Sequence, residues 1–170
     1  MSIYPECTLP LVPLPKINCK QEKIKDYEYK IWNYDSNYMC LDENQVIKNC
    51  RSVIFSHPQD HLLSLCPGKT TNPETFLKKY HCFENIYVNE YIDGTMVHLF
   101  YDKRRKMWEI SSKNHIGGSQ KLQNGSTKTT KTLLEMFKDA LGYDCTDSLQ
   151  SISLLKYFPK HYSYQFVILH

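Results

Sequence analysis

The sequence lacks several patterns that would assign it to a class at once. Among its 7 cysteines no two form a Cys-x-x-Cys pair, so we predict no closed zinc site and no other metal site. No apolar stretch is long enough to span a bilayer, and no basic segment precedes the apolar core of a signal peptide. These absences predict free thiols in a reducing compartment and a cytoplasmic protein without a membrane partner.

A strong excess of one charge is also missing. The 21 lysines and arginines stand against 18 aspartates and glutamates, which gives a net charge of +3. This charge permits a phosphate-bearing partner without requiring one. The length of 170 residues fits about one domain. The hydrophobic content of 41% is enough for a packed core, and 13 tyrosines with 7 phenylalanines favour strands over a helical bundle.

The residue patterns predict an antiparallel-rich α+β fold with a few helices. Strands are predicted where β-branched and aromatic residues alternate or cluster, over residues 27–34, 45–55, 61–66, 86–91, 96–101, 107–111 and 162–169. The strands 96–101 and 107–111 are expected to form a hairpin around the charged tip DKRRK.

The remaining segments are predicted as helices, a loop and an arm. Helices are expected from Asn72 to about Tyr80 and over 131–141, with Gly142 as a C-cap. The polar segment 119–130 is predicted to be a mobile loop. Residues 1–26, which contain the proline-rich run TLPLVPLP, are predicted to form an extended arm, and residues 27–170 a single domain.

The most informative run covers residues 89–118, NEYIDGTMVHLFYDKRRKMWEISSKNHIGG. Its order of strand, Asp-Gly turn, strand and hairpin resembles the nucleotide-binding core of the covalent nucleotidyltransferases, the superfamily of ATP-dependent ligases and capping enzymes. The first motif of that superfamily is K-x-D-G, and the second is a strand that ends in S-K or S-R. Asp93 and Gly94 match the first motif. Ser112 and Lys113 match the second.

Tyr91 stands at the position of the motif lysine, whose amine attacks the α-phosphate of the nucleotide in that superfamily. Such an attack needs an amine with a depressed pKa and neighbouring cations that stabilise the transition state. Nothing in the residues indicates that the phenol replaces the amine. The substitution therefore predicts that the covalent step is impaired.

Two upstream segments narrow the resemblance. Residues 50–55, CRSVIF, resemble the A-R-G-I-x-F strand of phage-type RNA ligases, and residues 67–76 resemble their P-x-x-K-F-F-N segment. The resemblance implies that Arg51 and Lys69 help to hold the triphosphate. The amino-acid sequence of residues 89–118 resembles RNA-ligase-like proteins of large DNA viruses more closely still. This resemblance would imply the host cytoplasm as the location.

The resemblance covers about residues 27–170 and implies the N-terminal part of an ATP-grasp-like RNA ligase domain, with further motifs expected after His170. The final segment YSYQFVILH resembles the strand that carries the third motif and stacks on the base. The implied activity is RNA end joining or repair with ATP and magnesium. The implied nucleotide-binding residues are Arg51, Lys69, Glu90, Gly94, Ser112 and Lys113. Asp93 and the position of Tyr91 would be catalytic.

Plainer alternatives to these assignments stay open. The alternative to an enzyme is a non-catalytic module that keeps the ligase fold and binds nucleotide or RNA. Asp93 is also explained as a turn-forming residue before glycine, and Ser112-Lys113 as a charged strand end. The basic tip 103–106 is either a solvated hairpin turn or a contact to a phosphate backbone.

Overall fold

The computed structural model of the chain describes residues 16–35, 45–80, 86–90, 92–124 and 127–169. These residues form two antiparallel sheets, a two-stranded ribbon and few helices, which confirms the predicted antiparallel α+β class. The strands are β1 Ile17–Ile24, β2 Tyr27–Tyr34, β3 Val53–His57, β4 Leu62–Leu65, β5 Thr95–Asp102, β6 Met107–Ser111, β7 Lys121–Asn124, β8 Thr127–Thr132 and β9 Tyr164–Ile168. The α-helices are α1 Gln45–Asn49, α2 Pro73–Lys79 and α3 Leu133–Ala140, and two 3₁₀ turns cover Leu149–Ser151 and Ser153–Tyr157.

The first sheet has the order β1-β2-β3-β4, and each neighbouring pair is antiparallel. Side chains alternate between the two faces along a strand, so β2 supplies core residues to both. Tyr29 and Ile31 are buried on the face that meets the second sheet. Trp32 packs on the opposite face with Val53 and Ile17. The centre of the sheet is therefore covered on both sides.

The second sheet has the order β6-β5-β9, with β5 in the middle. Leu99 of β5 packs beneath α3 and the 3₁₀ turns, in a cluster that includes Leu133. Phe100 points to the other face and packs against the first sheet. The first and second sheets thus enclose one internal layer that follows β5 from Met96 to Asp102, and we call it the inter-sheet layer.

Side-chain caps fix the ends of α2 and α3. Thr132 and Glu135 exchange two hydrogen bonds at the start of α3, of 2.6 and 3.3 Å, which form a capping box. Gly142 follows α3 with φ of 75°, the left-handed conformation that commonly ends helices. Asn72 accepts the N–H of Glu74 at 2.8 Å and begins α2. Both predicted helices are confirmed. Within the described ranges no helix is long and apolar enough to cross a membrane.

Most predicted strands are confirmed, namely β2, β4, β5, β6 and β9. The prediction of one strand over 45–55 is wrong, because α1 occupies its first half and β3 begins only at Val53. A short apolar run carries no periodicity that separates helix from strand. The prediction of a mobile loop over 119–130 is also wrong, since β7 and β8 pair there as an antiparallel ribbon. Threonine favours extended backbone, which explains β8.

Two other predicted segments lie partly outside the described residues. Residues 86–90 form no strand, because no neighbouring strand pairs with them, and Tyr87 and Val88 are exposed. Tyr91, which follows them, lies outside the described residues. Residues 17–24 of the predicted N-terminal arm form the edge strand β1, while residues 1–15 of that arm lie outside the described residues.

Candidate functional site

Three cations predicted from separate sequence segments lie at one end of the inter-sheet layer. Arg51 precedes β3, Lys69 follows β4 and Lys113 follows β6. In antiparallel pairs the start of one strand lies beside the end of its neighbour, which brings Arg51 and Lys69 to one edge of the first sheet. Lys113 comes from the second sheet, and the hydrogen bond from Ser52 Oγ to its carbonyl joins the two sheets there. The ring of Tyr34, at the end of β2, is shared by the two lysines: Lys113 Nζ lies 4.9 Å and Lys69 Nζ 6.0 Å from its centroid. The Arg51 guanidinium lies close enough to Lys113 to repel its ammonium group. We call Tyr34, Arg51, Lys69 and Lys113 the cationic cluster.

Hydrogen bonds to backbone carbonyls hold the residues of the cluster in place. Ser52 Oγ donates to the Lys113 carbonyl at 3.0 Å, which ties the end of β6 to the start of β3. The buried Asn33, with its amide nitrogen turned toward these carbonyls, donates to Arg51 O at 2.7 Å and to Lys113 O at 3.1 Å. The Lys69 N–H donates to Lys48 O at 3.0 Å. The main chains that carry the cations are therefore fixed without the use of the charged groups.

Arg51 and Lys113 lack a matching carboxylate in the part of the chain that the structure describes. The ion pairs formed there include neither Arg51 nor Lys113. Burial, followed by repulsion from the Arg51 guanidinium, holds the pKa of Lys113 below its ordinary value. Two cations are thus kept close together without a counter-charge, which favours the binding of an anion.

Polar side chains extend the cluster into the inter-sheet layer. His98 is fully buried, and its Nδ1 lies 3.0 Å from Ser64 Oγ across the two sheets. His98 Nε2 and the hydroxyl of its cross-strand neighbour Ser111 have no hydrogen-bond partner among the described residues. Burial, with a smaller effect of Arg51, lowers the pKa of His98 to about 4, so the imidazole is neutral at pH 7. Unused hydrogen-bonding atoms therefore lie beneath the cations.

Cys66 borders the same region but does not provide a nucleophile. Its Sγ lies 3.1 Å from the Sδ of Met96, the residue with which the inter-sheet layer begins. Burial raises the pKa of the Cys66 thiol, and this effect exceeds the opposite effect of Arg51 and Lys113. The thiol is therefore protonated at neutral pH and unsuited to attack an electrophile.

The predicted Asp-Gly turn leads into β5 at this same end. A Cβ on Gly94 would lie 2.4 Å from the Ile168 carbonyl oxygen, so glycine is required here by close packing against β9. Asp93 and Glu90 are exposed, and the ion pairs of the described residues include neither. Among those residues no group of three or more His, Cys, Asp or Glu could hold a metal ion. Tyr91 lies outside them.

Ser112 has a structural contact of its own. Its hydroxyl accepts the backbone N–H of His115 at 3.2 Å and that of Asn114 at 3.4 Å, which closes the turn after β6. The second predicted motif therefore divides into two parts. Ser112 stabilises the turn, and Lys113 faces the Tyr34 ring.

The opposite end of the inter-sheet layer is also charged, but its buried carboxylate is paired. Asp102 is fully buried and accepts the Tyr29 hydroxyl at 2.8 Å. Arg104 donates to the same carboxylate from its backbone N–H and from Nη2, both at 2.9 Å. Arg105 forms an ion pair with Glu109. Two of the four cations of the basic tip are therefore bound to carboxylates, whereas Lys103 and Lys106 are exposed.

Sequence reasoning missed the partners of the three cations. Tyr34 was predicted only as the end of a strand, and its contact with the two lysines depends on strand order, which the sequence alone does not show. Nothing in the sequence marked the contact between Ser64 and His98, which are 34 residues apart. Such a pair becomes visible only when the two sheets are stacked.

Comparison of the chain with models of protein families, with curated proteins and with solved structures gave no match. The functional interpretation therefore rests on the sequence motifs and on the geometry of the cationic cluster.

Proposed function

We propose that the chain is an RNA-ligase-like nucleotidyltransferase domain that binds the triphosphate of ATP at the cationic cluster and lacks the covalent step at Tyr91. Two observations carry this proposal. Lys69 and Lys113 meet at the Tyr34 ring, and Arg51 lies beside Lys113 with no carboxylate partner for either among the described residues. The sequence motifs that contain these cations resemble those of ATP-dependent ligases, and we therefore propose ATP as the nucleotide.

A triphosphate fits the cluster better than a single carboxylate does. Its charge is spread over several oxygens, and the three cations approach from three different strand ends. The planar guanidinium of Arg51 can hold two phosphate oxygens at once, and the lysine ammonium groups act as point charges. His98 Nε2 and Ser111 Oγ offer hydrogen bonds to a group that enters the layer.

Magnesium would bind with the nucleotide rather than at a site made by the protein alone. Mg²⁺ commonly uses one or two carboxylates together with substrate phosphates. Asp93, exposed at the start of β5, is the carboxylate that the sequence motif supplies. When bound, the ion would neutralise phosphate charge; the proposed binding by Arg51 and Lys113 does not require it.

Calorimetric titration with ATP tests the proposal. We expect Arg51→Met and Lys113→Met each to weaken ATP binding at least about tenfold, because a hydrogen bond to a charged group contributes roughly 1.5–3 kcal/mol. Lys23→Met removes one exposed charge on β1 and should leave the affinity unchanged. Equal affinity in wild type and Arg51→Met would contradict the proposal.

A labelling experiment tests the missing covalent step. The chain is incubated with magnesium and with ATP labelled at the α-phosphate, and is then separated by denaturing electrophoresis. We expect no label on the wild-type chain, since no lysine stands at position 91. A Tyr91→Lys variant that gains label would show that the rest of the pocket is competent. Label on the wild-type chain would disprove the loss of covalent chemistry.

A further inference from the structure

A cavity of about 360 Å³ lies at the end of the inter-sheet layer opposite the cationic cluster. The connection between β3 and β4, the tip of the β5–β6 hairpin and the segment just before β9 enclose it. Its lining combines cations with rings, and includes His61, Leu62, Tyr101, Lys103, Lys160 and Tyr162. None of these residues belongs to the cationic cluster.

The cavity carries excess positive charge. Its one carboxylate, Asp102, is buried and already bound by Tyr29 and Arg104. Lys103 and Lys160 take part in none of the ion pairs formed among the described residues. Lys103 is exposed, and the Lys160 ammonium lies 4.4 Å from the centroid of the Tyr101 ring. Two lysines are therefore available to an anionic group that enters the cavity.

Exposed rings lie beside these lysines. Tyr162 is 59% exposed, and its ring stands 4.1 Å from that of His161. The cation and ring pattern continues outside the cavity: Lys156 lies 4.9 Å from the centroid of the Tyr157 ring, which is 72% exposed. The segment KYFPKHY, residues 156–162, thus carries lysines and aromatic rings both at the cavity and outside it.

We propose that this cavity and the segment 156–162 form a binding surface for single-stranded nucleic acid. Lys103 and Lys160 contact backbone phosphates, and Tyr162 and Tyr157 stack on successive bases. The repetition of cation–ring pairs beyond the cavity argues for a polymer rather than a mononucleotide. Bases that are unpaired can reach such rings, whereas a duplex keeps them stacked inside. The surface is separate from the proposed ATP site, so each can be tested without the other.

Fluorescence anisotropy with labelled oligomers of about 12 nucleotides tests the surface, with single-stranded RNA, single-stranded DNA and a duplex compared. We expect both single strands to bind more tightly than the duplex. Lys103→Ala/Lys160→Ala should weaken single-strand binding at least tenfold and reduce the slope of log affinity against log salt by about 1.4, or roughly 0.7 per phosphate contact. Tyr162→Ala should weaken binding about fivefold or more through lost stacking.

Two controls separate this surface from the ATP site and from general charge. Lys103→Ala/Lys160→Ala should bind ATP as wild type does, and Arg51→Met should bind RNA as wild type does. Lys23→Met/Lys78→Met removes two exposed lysines elsewhere and should change single-strand affinity less than twofold. Urea unfolding of each variant confirms that it is folded.

Four outcomes would overturn the proposal. One is unchanged single-strand affinity in Lys103→Ala/Lys160→Ala. Another is an equal loss in Lys23→Met/Lys78→Met, which would show attraction by net charge alone. A third is tighter binding of the duplex than of the single strands. The fourth is found with a labelled phosphotyrosine peptide as a further probe: the peptide binds at the cavity and nucleic acid does not.

Discussion

The two ends of the inter-sheet layer carry similar residue types in opposite arrangements. At one end Asp102 receives hydrogen bonds from Tyr29 and Arg104, so buried charge is compensated within the protein. At the other end Arg51 and Lys113 stand close together, and the described residues provide them with no carboxylate. Paired charges stabilise the fold, whereas unpaired charges of one sign favour a bound ligand of the opposite sign.

The two ends of the inter-sheet layer also contribute differently to the stability of the fold. The Asp102 carboxylate lowers the free energy of the folded state through several bonds to fixed donors. Burial raises the pKa of Tyr29 to about 12, with a further effect of Asp102, and the phenol therefore stays a donor at every physiological pH. Arg51 and Lys113 repel each other, and hydrogen bonds from Asn33 and Ser52 hold their backbone carbonyls. Mutations at the two ends should therefore have contrasting effects.

The largest effect is expected from Asp102→Ala. The substitution removes the acceptor of the Tyr29 hydroxyl and the ion-pair partner of Arg104. Breaking a buried pair by removal of one partner costs about 4 kcal/mol, and urea unfolding should show a loss of that size. Tyr29→Phe, which leaves the carboxylate bound to Arg104, should lose about 2 kcal/mol, because the lost hydrogen bond is to a charged group. A loss below about 1 kcal/mol for Asp102→Ala would show that the network is not structural.

The next effect is a dependence of stability on pH that comes from His98. Its pKa is lowered to about 4 in the folded chain, mainly by burial, whereas an unfolded histidine titrates near its ordinary value of 6.5. The unfolded chain therefore binds more protons between these values, so stability falls as the pH drops from 6.5 to 4. The loss should be about 3 kcal/mol.

His98→Gln is the matched variant for this pH dependence. Glutamine keeps a polar partner for Ser64 and does not titrate. Urea unfolding from pH 7 to pH 4 should therefore show a smaller loss in the variant than in wild type. Parallel pH profiles for the two chains would rule out His98 as the source.

A smaller loss of stability is expected from Gly94→Ala. Gly94 lies just before β5, at the same end of the inter-sheet layer as the cationic cluster. The added Cβ would meet the Ile168 carbonyl oxygen, which is backbone and cannot move aside easily. Overpacking of this kind costs about 2 kcal/mol. Gly142→Ala is the control, because φ of 75° is strained for alanine but the space there is open. It should lose only about 1 kcal/mol. ATP affinity of folded Gly94→Ala should equal that of wild type, since the glycine acts through packing.

The success of the sequence predictions followed the strength of the local pattern. Clear period-two alternation identified β2, and the charged tip between two apolar strands identified the β5–β6 hairpin. The prediction of one strand over residues 45–55 was wrong because the apolar residues there fit helix and strand equally well. The ribbon of β7 and β8 was missed because threonine and glycine were interpreted as loop residues, although threonine is also a strand former.

For the candidate site, too, the sequence predicted some features and not others. Arg51, Lys69 and Lys113 could be selected from the sequence, because each stands in a short segment that resembles a ligase motif. The meeting of the two lysines at the Tyr34 ring, and the position of Arg51 beside Lys113, depend on strand order and sheet packing, which a linear pattern does not contain. The pairing of Arg104 with Asp102, and the rings around Lys160, likewise depend on how hairpin and sheet pack.

Thermal unfolding of Arg51→Met/Lys113→Met, with and without ATP, tests the central claim most directly. Without ATP the double variant should be within about 0.5 kcal/mol of wild type or more stable, because the two cations no longer repel each other. ATP at about 100 times its Kd should stabilise wild type by about 2.7 kcal/mol and the variant far less. If ATP stabilises both chains equally, or the variant is strongly destabilised without it, the cluster is structural and the account is wrong.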